Sequence, residues 1–265
     1  MTTYDLDDAE FQALKGKTII ITGGASGIGR AAVKIAHSYG ANVAIADWNE
    51  AEGESLRAEL KDPEHVLFHK TDVSNWENVL SLFDTTISAL GPIQAVLSNA
   101  GVNTEDFAST IDKIDPGTGK LLPPSLKTMD VNLTGQIYMA KAALHYFGKW
   151  KGDGVKRQIV MTGSAASFID CPPLHLYCAK TPMLLPEFLS VWGTLPRNKP
   201  EGPARALLLP VVRPEVNGKS FYIAGMQIVE VEDKLHEAQP IWLGEQLSKD
   251  VDEGQRRLVP LAPPM

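Results

Sequence analysis

Regular patterning begins at Thr18-Ile19-Ile20-Ile21, a short unbroken apolar run. Such a run predicts a strand buried on both faces. Glycines follow, and then Ala31 to Tyr39 places Val33, Ile35 and Ala36 at helical spacing. The alternation continues for about 160 residues. Strands are predicted over 17–21, 43–47, 66–69, 93–98 and 156–161, and helices over 27–39, 50–60, 75–90 and about 125–148. This order predicts an α/β fold: a doubly wound, Rossmann-like parallel sheet covered on both faces, as a single domain over 14–250. Segments 1–13 and 251–265 are expected to be frayed tails.

The last third breaks the pattern. Pro182, Pro186, Pro196, Pro200, Pro203, Pro210 and Pro214 crowd one stretch, and each limits a helix or strand. Only Phe221-Tyr-Ile223 reads as a further strand. Earlier, Val102 to Pro124 forms a long connection with a turn at Asp115-Pro-Gly-Thr-Gly-Lys120. Loops of this length often carry binding function.

Composition narrows the function. A chain of 265 residues, 44% hydrophobic, suffices for one α/β domain with a sizeable core. No apolar run reaches the ~18 residues of a membrane span. A net charge of −7 gives no electrostatic case for nucleic acid or an anionic membrane. Met1 to Glu10 is acidic and lacks a secretory pattern, so a cytoplasmic location is expected. Cys171 and Cys178 make no disulfide framework, and the histidines show no metal spacing with them.

The glycine turn carries the first chemistry. Thr22-Gly-Gly-Ala-Ser-Gly-Ile-Gly-Arg30 lies between a predicted strand and a predicted helix. Gly23 permits the tight turn, and Gly27 and Gly29 permit close approach of backbone to a pyrophosphate. Helix-start N–H groups then face the anion. Asp47 ends the next strand, about 20 residues on, where a carboxylate holds the ribose hydroxyls. It repels a 2′-phosphate, and Trp48 and Asn49 bring no adjacent Lys or Arg. NAD is therefore expected in preference to NADP. The same Asp47 also suits an N-cap for the helix that follows.

These motifs, with others in order, resemble the short-chain dehydrogenase/reductase family from about Leu14 to Tyr177. Thr22 to Gly29 resembles TGxxxGIG, so the likeness implies cofactor contacts at Gly23, Ser26, Gly27, Ile28 and Gly29. It implies adenine contacts at Asp72 and Val73, and cofactor contacts at Asn99, Ala100 and Gly101, which match the family's NAG. Asn132 and Ser164 match the catalytic Asn and Ser, and Tyr177 lies 13 positions after Ser164, the family's spacing for its catalytic Tyr. Ala46-Asp-Trp-Asn49, Asn99-Ala-Gly-Val-Asn103 and Tyr177-Cys-Ala179 resemble the NAD-dependent 15-hydroxyprostaglandin dehydrogenase branch and dehydrogenases of fungal polyketide pathways. The resemblance implies hydride exchange between an alcohol or ketone and a nicotinamide. Tyr177 would move the proton, Ser164 would hold the substrate oxygen, and Asn132 would support a water chain. A homo-oligomer is compatible with it.

One departure stands out. The family places a Lys four residues after the Tyr, whereas Lys180 follows Tyr177 by three. Three residues advance a helix by about 300° and four by about 400°, so the ammonium arrives from another direction. Pro182 disfavours helix at Thr181. Thr181-Pro-Met183 resembles a family stretch that should come later, with its Thr beside the nicotinamide carboxamide. About 30 residues of helix and strand pattern are absent at this point. Either a segment is missing from this sequence, or the chain is a shortened variant that keeps nucleotide binding without turnover. The cost of an open sheet edge and an uncovered core favours the first.

Overall fold

The computed structural model describes residues 3–103, 112–164, 199–216, 218–224 and 226–258. A two-residue strand β1 (Thr3–Tyr4) leads into a 3₁₀ turn, Asp8–Leu14. Five strands then build the central sheet: β2 (Thr18–Thr22), β3 (Asn42–Asp47), β4 (Val66–Lys70), β5 (Ile93–Ser98) and β6 (Gln158–Met161). Their order is β4-β3-β2-β5-β6, and every pair is parallel. The order reverses between β2 and β5, which opens a crevice at the C-terminal ends of those strands.

Alternate strand residues serve opposite faces. Ile19, Ile21, Val43, Ile45, Ala95 and Leu97 join one core, with Ala32, Val33 and Ala36 of α1 (Gly27–Ser38) and Leu56 of α2 (Glu50–Leu60). Ile20, Ala44, Ala46 and Val96 join the other. There they meet Val79, Leu82 and Phe83 of α3 (Trp76–Leu90) and Met139 and Ala142 of α4 (Gly135–Gly148). The helix expected over 125–148 is divided. A short turn, Lys127–Met129, and a π-helical turn, Asp130–Thr134, precede α4.

Three expectations need correction. The proline-rich stretch is helical over Glu201–Val212, here α5. Pro203 sits in the first turn, where its missing N–H costs nothing, and Pro210 sits near the last. Ala204, Leu207, Leu208 and Val211 complete the first core against α1. Lys17 Nζ donates to the Val211 carbonyl at 2.7 Å and closes the helix end. Burial pushes that Lys17 ammonium below its usual pKa.

Residues 3–13, expected to fray, are instead strapped across α5. Phe11 and Leu14 are fully buried. Asp7 and Glu10 form a capping box. Arg205 reaches Asp8 and the Leu6 carbonyl, and Arg213 clasps Glu10 and the Asp5 carbonyl. Strand β7 (Phe221–Ala224) does not enter the five-stranded sheet. It pairs antiparallel with β8 (Gln227–Glu230), which pairs with β1. Helices α6 (Glu232–Leu243) and α7 (Glu245–Leu258) follow, so residues 251–258 are helical rather than frayed. No helix among the described residues is long and apolar enough to cross a membrane.

Candidate functional site

The sequence-predicted residues that the structure describes gather at the C-terminal ends of the five strands. Thr22 ends β2 and joins it to β5. Its Oγ1 accepts from the Asn99 N–H at 3.0 Å and the Ala100 N–H at 2.9 Å, and Asn99 Nδ2 donates to the Thr22 carbonyl at 3.1 Å. Asn99 therefore ties strand ends together. Gly23 turns the chain at φ 65° against that knot. A Cβ on Gly23 would fall 2.9 Å from Ala100 Cα, and one on Gly29 only 2.0 Å from the Gly23 carbonyl oxygen.

Gly27 differs. It also has positive φ, 50°, but a Cβ there would meet nothing within 4 Å. Ser26 is the N-cap of α1, yet its side chain makes no capping bond. The helix start thus presents N–H groups beside an open glycine surface, as a pyrophosphate cradle requires. The residues present fit a dinucleotide.

Asp47 is buried, 6% exposed. Oδ2 accepts from the Ala25 N–H and Oδ1 from the Asn49 N–H, each at 3.0 Å. The carboxylate fastens the glycine loop to β3. Asn49, not Asp47, caps α2. Thr71 N–H donates to the Asp47 carbonyl at 2.8 Å, which brings the β4 end alongside. His69 bonds Thr71 Oγ1 at 2.8 Å, and burial holds its pKa below the usual value. Asp72 is exposed and folds onto Ser74, accepting from its N–H at 2.9 Å and its hydroxyl at 2.6 Å. Val73 is buried against Gly135, where a Cβ would come within 2.7 Å of Val73 Cγ2.

Asn132 lies buried in the π-helical turn. Its Oδ1 accepts from the Val102 N–H and its Nδ2 donates to the Val102 carbonyl, both at 2.8 Å. It clamps the chain just after Asn99-Ala-Gly101. Ser164 is buried beyond the end of β6. Nearby, Gln136 Nε2 donates to the Thr162 carbonyl at 2.7 Å, and Thr162 Oγ1 is buried without a hydrogen-bond partner among the described residues. Tyr177, Lys180 and Thr181 lie outside the described residues.

One cation escaped the sequence reading. Lys127 Nζ stands 5.4 Å from the centroid of the Trp48 ring, next to Asp47. No Lys or Arg adjoins Trp48 and Asn49 in sequence, but the fold brings Lys127 to this rim. No local signal marks Lys127, because tertiary packing alone delivers it.

The family model for short chain dehydrogenase matches residues 17–180. The chain belongs to the short-chain dehydrogenase family. Short-chain dehydrogenase/reductase ascJ of Acremonium egyptiacum is 36% identical over 168 residues, covering 63% of this chain and 53% of that protein. This chain thus spans about half the length of ascJ. The NADP-dependent dehydrogenase clz5 of Cochliobolus lunatus is 36% identical over 184 residues, 65% of this chain and 63% of that one. Short-chain dehydrogenase/reductase prx4 of Penicillium roqueforti is 26% identical over 298 aligned positions, which take in 92% of this chain and 85% of that protein. That alignment is longer than the 265-residue chain, so prx4 carries residues with no counterpart here. Among solved structures, the 3-ketoacyl-(acyl-carrier-protein) reductase from Brucella melitensis complexed with NADH superposes with a TM-score of 0.53 at 26% identity. The match covers 63% of this chain and 64% of that one.

Proposed function

We propose that this short-chain dehydrogenase is an NAD-linked oxidoreductase that interconverts a secondary alcohol and a ketone on a small organic substrate. The observation that carries the reading is Asp47, a buried carboxylate tied to the glycine loop at the reversal of strand order. A carboxylate there hydrogen-bonds both ribose hydroxyls and repels a 2′-phosphate. Its oxygens retain lone pairs beyond the bonds from Ala25 and Asn49. The similarity to an NADH-bound reductase supports the choice, and the similarity to the NADP-dependent clz5 makes cofactor preference the natural test.

In this reading Gly23, Ser26, Gly27, Ile28 and Gly29 hold the pyrophosphate, and Asp72 and Val73 border the adenine. Asn99, Ala100 and Gly101 line the crevice toward the nicotinamide, with Thr181 on its carboxamide side. Bound nicotinamide supplies the two-electron acceptor or donor. Ser164 donates a hydrogen bond to the substrate oxygen and steadies its developing charge. Tyr177 takes the hydroxyl proton during oxidation and returns it during reduction. Asn132 keeps the Val102 backbone in place at the site and supports water access. Lys180 is the cation closest in sequence to the Tyr177 phenol.

Calorimetric titration of the chain with NAD and NADP tests the reading. NAD should bind more tightly, and Asp47→Ala should weaken it. Tighter binding of NADP by the unaltered protein would overturn the assignment.

A further inference from the structure

We propose that Lys127 is a second determinant of cofactor choice: it receives the 2′-phosphate of a phosphorylated dinucleotide and so works against Asp47. This rests on the dinucleotide reading above. Lys127 belongs to the helical turn just before Asn132, so it reaches the rim from the opposite side of the sheet order to Asp47. Its ammonium sits 5.4 Å from the centre of the Trp48 ring. Trp48 directly follows the ribose carboxylate and is 67% exposed. The pair therefore stands at the open edge of the adenosine end, in reach of solvent and ligand.

The other cations around this rim already have carboxylate partners. Arg30 and Lys34 both pair with Glu59. Lys70 is the register partner of Asp47, but its Nζ lies 2.9 Å from Glu50. Among the described residues no carboxylate forms an ion pair with Lys127. A ring face is its counterpart instead, and an exposed cation–π contact is weak. A phosphate dianion offers charge-assisted hydrogen bonds that such a contact does not match. Two opposed side chains thus set the preference. Asp47 disfavours the 2′-phosphate and Lys127 favours it, and selectivity is the difference between the two effects.

The test compares ADP-ribose with its 2′-phosphate, ligands that differ only in the group concerned, by calorimetry on the full chain. Lys127→Gln should lower the affinity for the phosphorylated ligand relative to ADP-ribose by about fivefold or more. Lys127→Arg should restore the ratio, since it returns the charge. The ratio in the unaltered protein should also fall between about 50 and about 500 mM salt. A Lys127→Gln variant that moves both ligands in proportion, or neither, overturns the proposal and leaves the dinucleotide reading intact. If neither ligand binds the unaltered chain, the dinucleotide reading falls and this inference with it.

Discussion

Gly27 and Gly29 lie two positions apart in the first turn of α1 and answer to different constraints. A methyl group on Gly29 would overlap the Gly23 carbonyl oxygen at 2.0 Å, and the Gly23 backbone and the Asn99 side-chain amide leave it nowhere to go. Gly29→Ala should destabilise the protein by about 3 kcal/mol or more, read from urea unfolding. Gly27→Ala meets open space and only the left-handed backbone resists it, so it should cost about 1 kcal/mol. Equal destabilisation by the two would contradict this account of the cradle. Asp47→Ala strands the buried Ala25 N–H and the part-buried Asn49 N–H and should cost about 2 kcal/mol. Asp47→Asn, which keeps one acceptor oxygen, should lose less. The glycines and Asp47 were legible because their signals are local: an apolar strand before, a helix after, an acid at the next strand end. Asp47's grip on Ala25, the clamp of Asn132 on Val102 and the approach of Lys127 were not. Each joins segments distant in sequence, and no spacing rule encodes them.

At the level of elements, success followed the strength of the period. The helix expected over 50–60 and the strand over 93–98 match the observed bounds, since each has clear flanking signals. The π-helical turn before α4 gave no such signal. The strap over residues 3–14 was missed because Phe11 and Leu14 are isolated apolar residues in an acidic stretch, and their partner, α5, lies far downstream. Phe11 packs at 5.4 Å from the Tyr39 ring, with the Arg205 guanidinium 4.8 Å from its own centre. Phe11→Ala should therefore destabilise the protein by about 3–5 kcal/mol, unlike a change in a frayed tail. Another element-level contact carries a pH signature. Asp62, after α2, meets His65 Nδ1 at 2.8 Å and His37 Nε2 of α1 at 3.1 Å. The hydrogen bond that His65 donates to Asp62 raises the His65 pKa, and the two histidines hold the Asp62 carboxyl low. A raised folded pKa contributes stability that is complete below the unfolded value of about 6.5 and lost as pH rises through the folded one. Melting temperatures followed from pH 5.5 to 8.5 should show the unaltered chain losing its advantage over His65→Gln as pH rises. Parallel curves would exclude the pair as a contributor.

For the whole molecule, the decisive feature is where the sheet stops. Strand β7 pairs with β8, and β6 is the last described strand of the parallel layer. The aligned positions of prx4 that find no counterpart here fit a chain that lacks a stretch of its relatives' pattern. Under the proposed role of Tyr177 as proton carrier, its spacing to Lys180 sets the rate. A phenol with no well-placed cation has its ordinary pKa of about 10. Alcohol oxidation by this chain should accordingly be slow and climb through about pH 9–10. Thr181→Lys alone should leave that profile unmoved, whereas insertion of the corresponding prx4 segment should shift it toward neutrality. Fast turnover near pH 7 by the unaltered chain would refute the expectation. The small sheet β1-β8-β7 has a consequence for synthesis as well. It joins Thr3 to Val229, the early chain to the late one. A ribosome delivers the strap first and its partners α5 and β8 near the end. Through that interval Phe11, Leu14 and the outer face of α1 lack the cover that α5 gives them. A nascent chain stalled after β6 would hold its nucleotide cradle and still be sticky on one side, a natural client for chaperones until the final helices emerge.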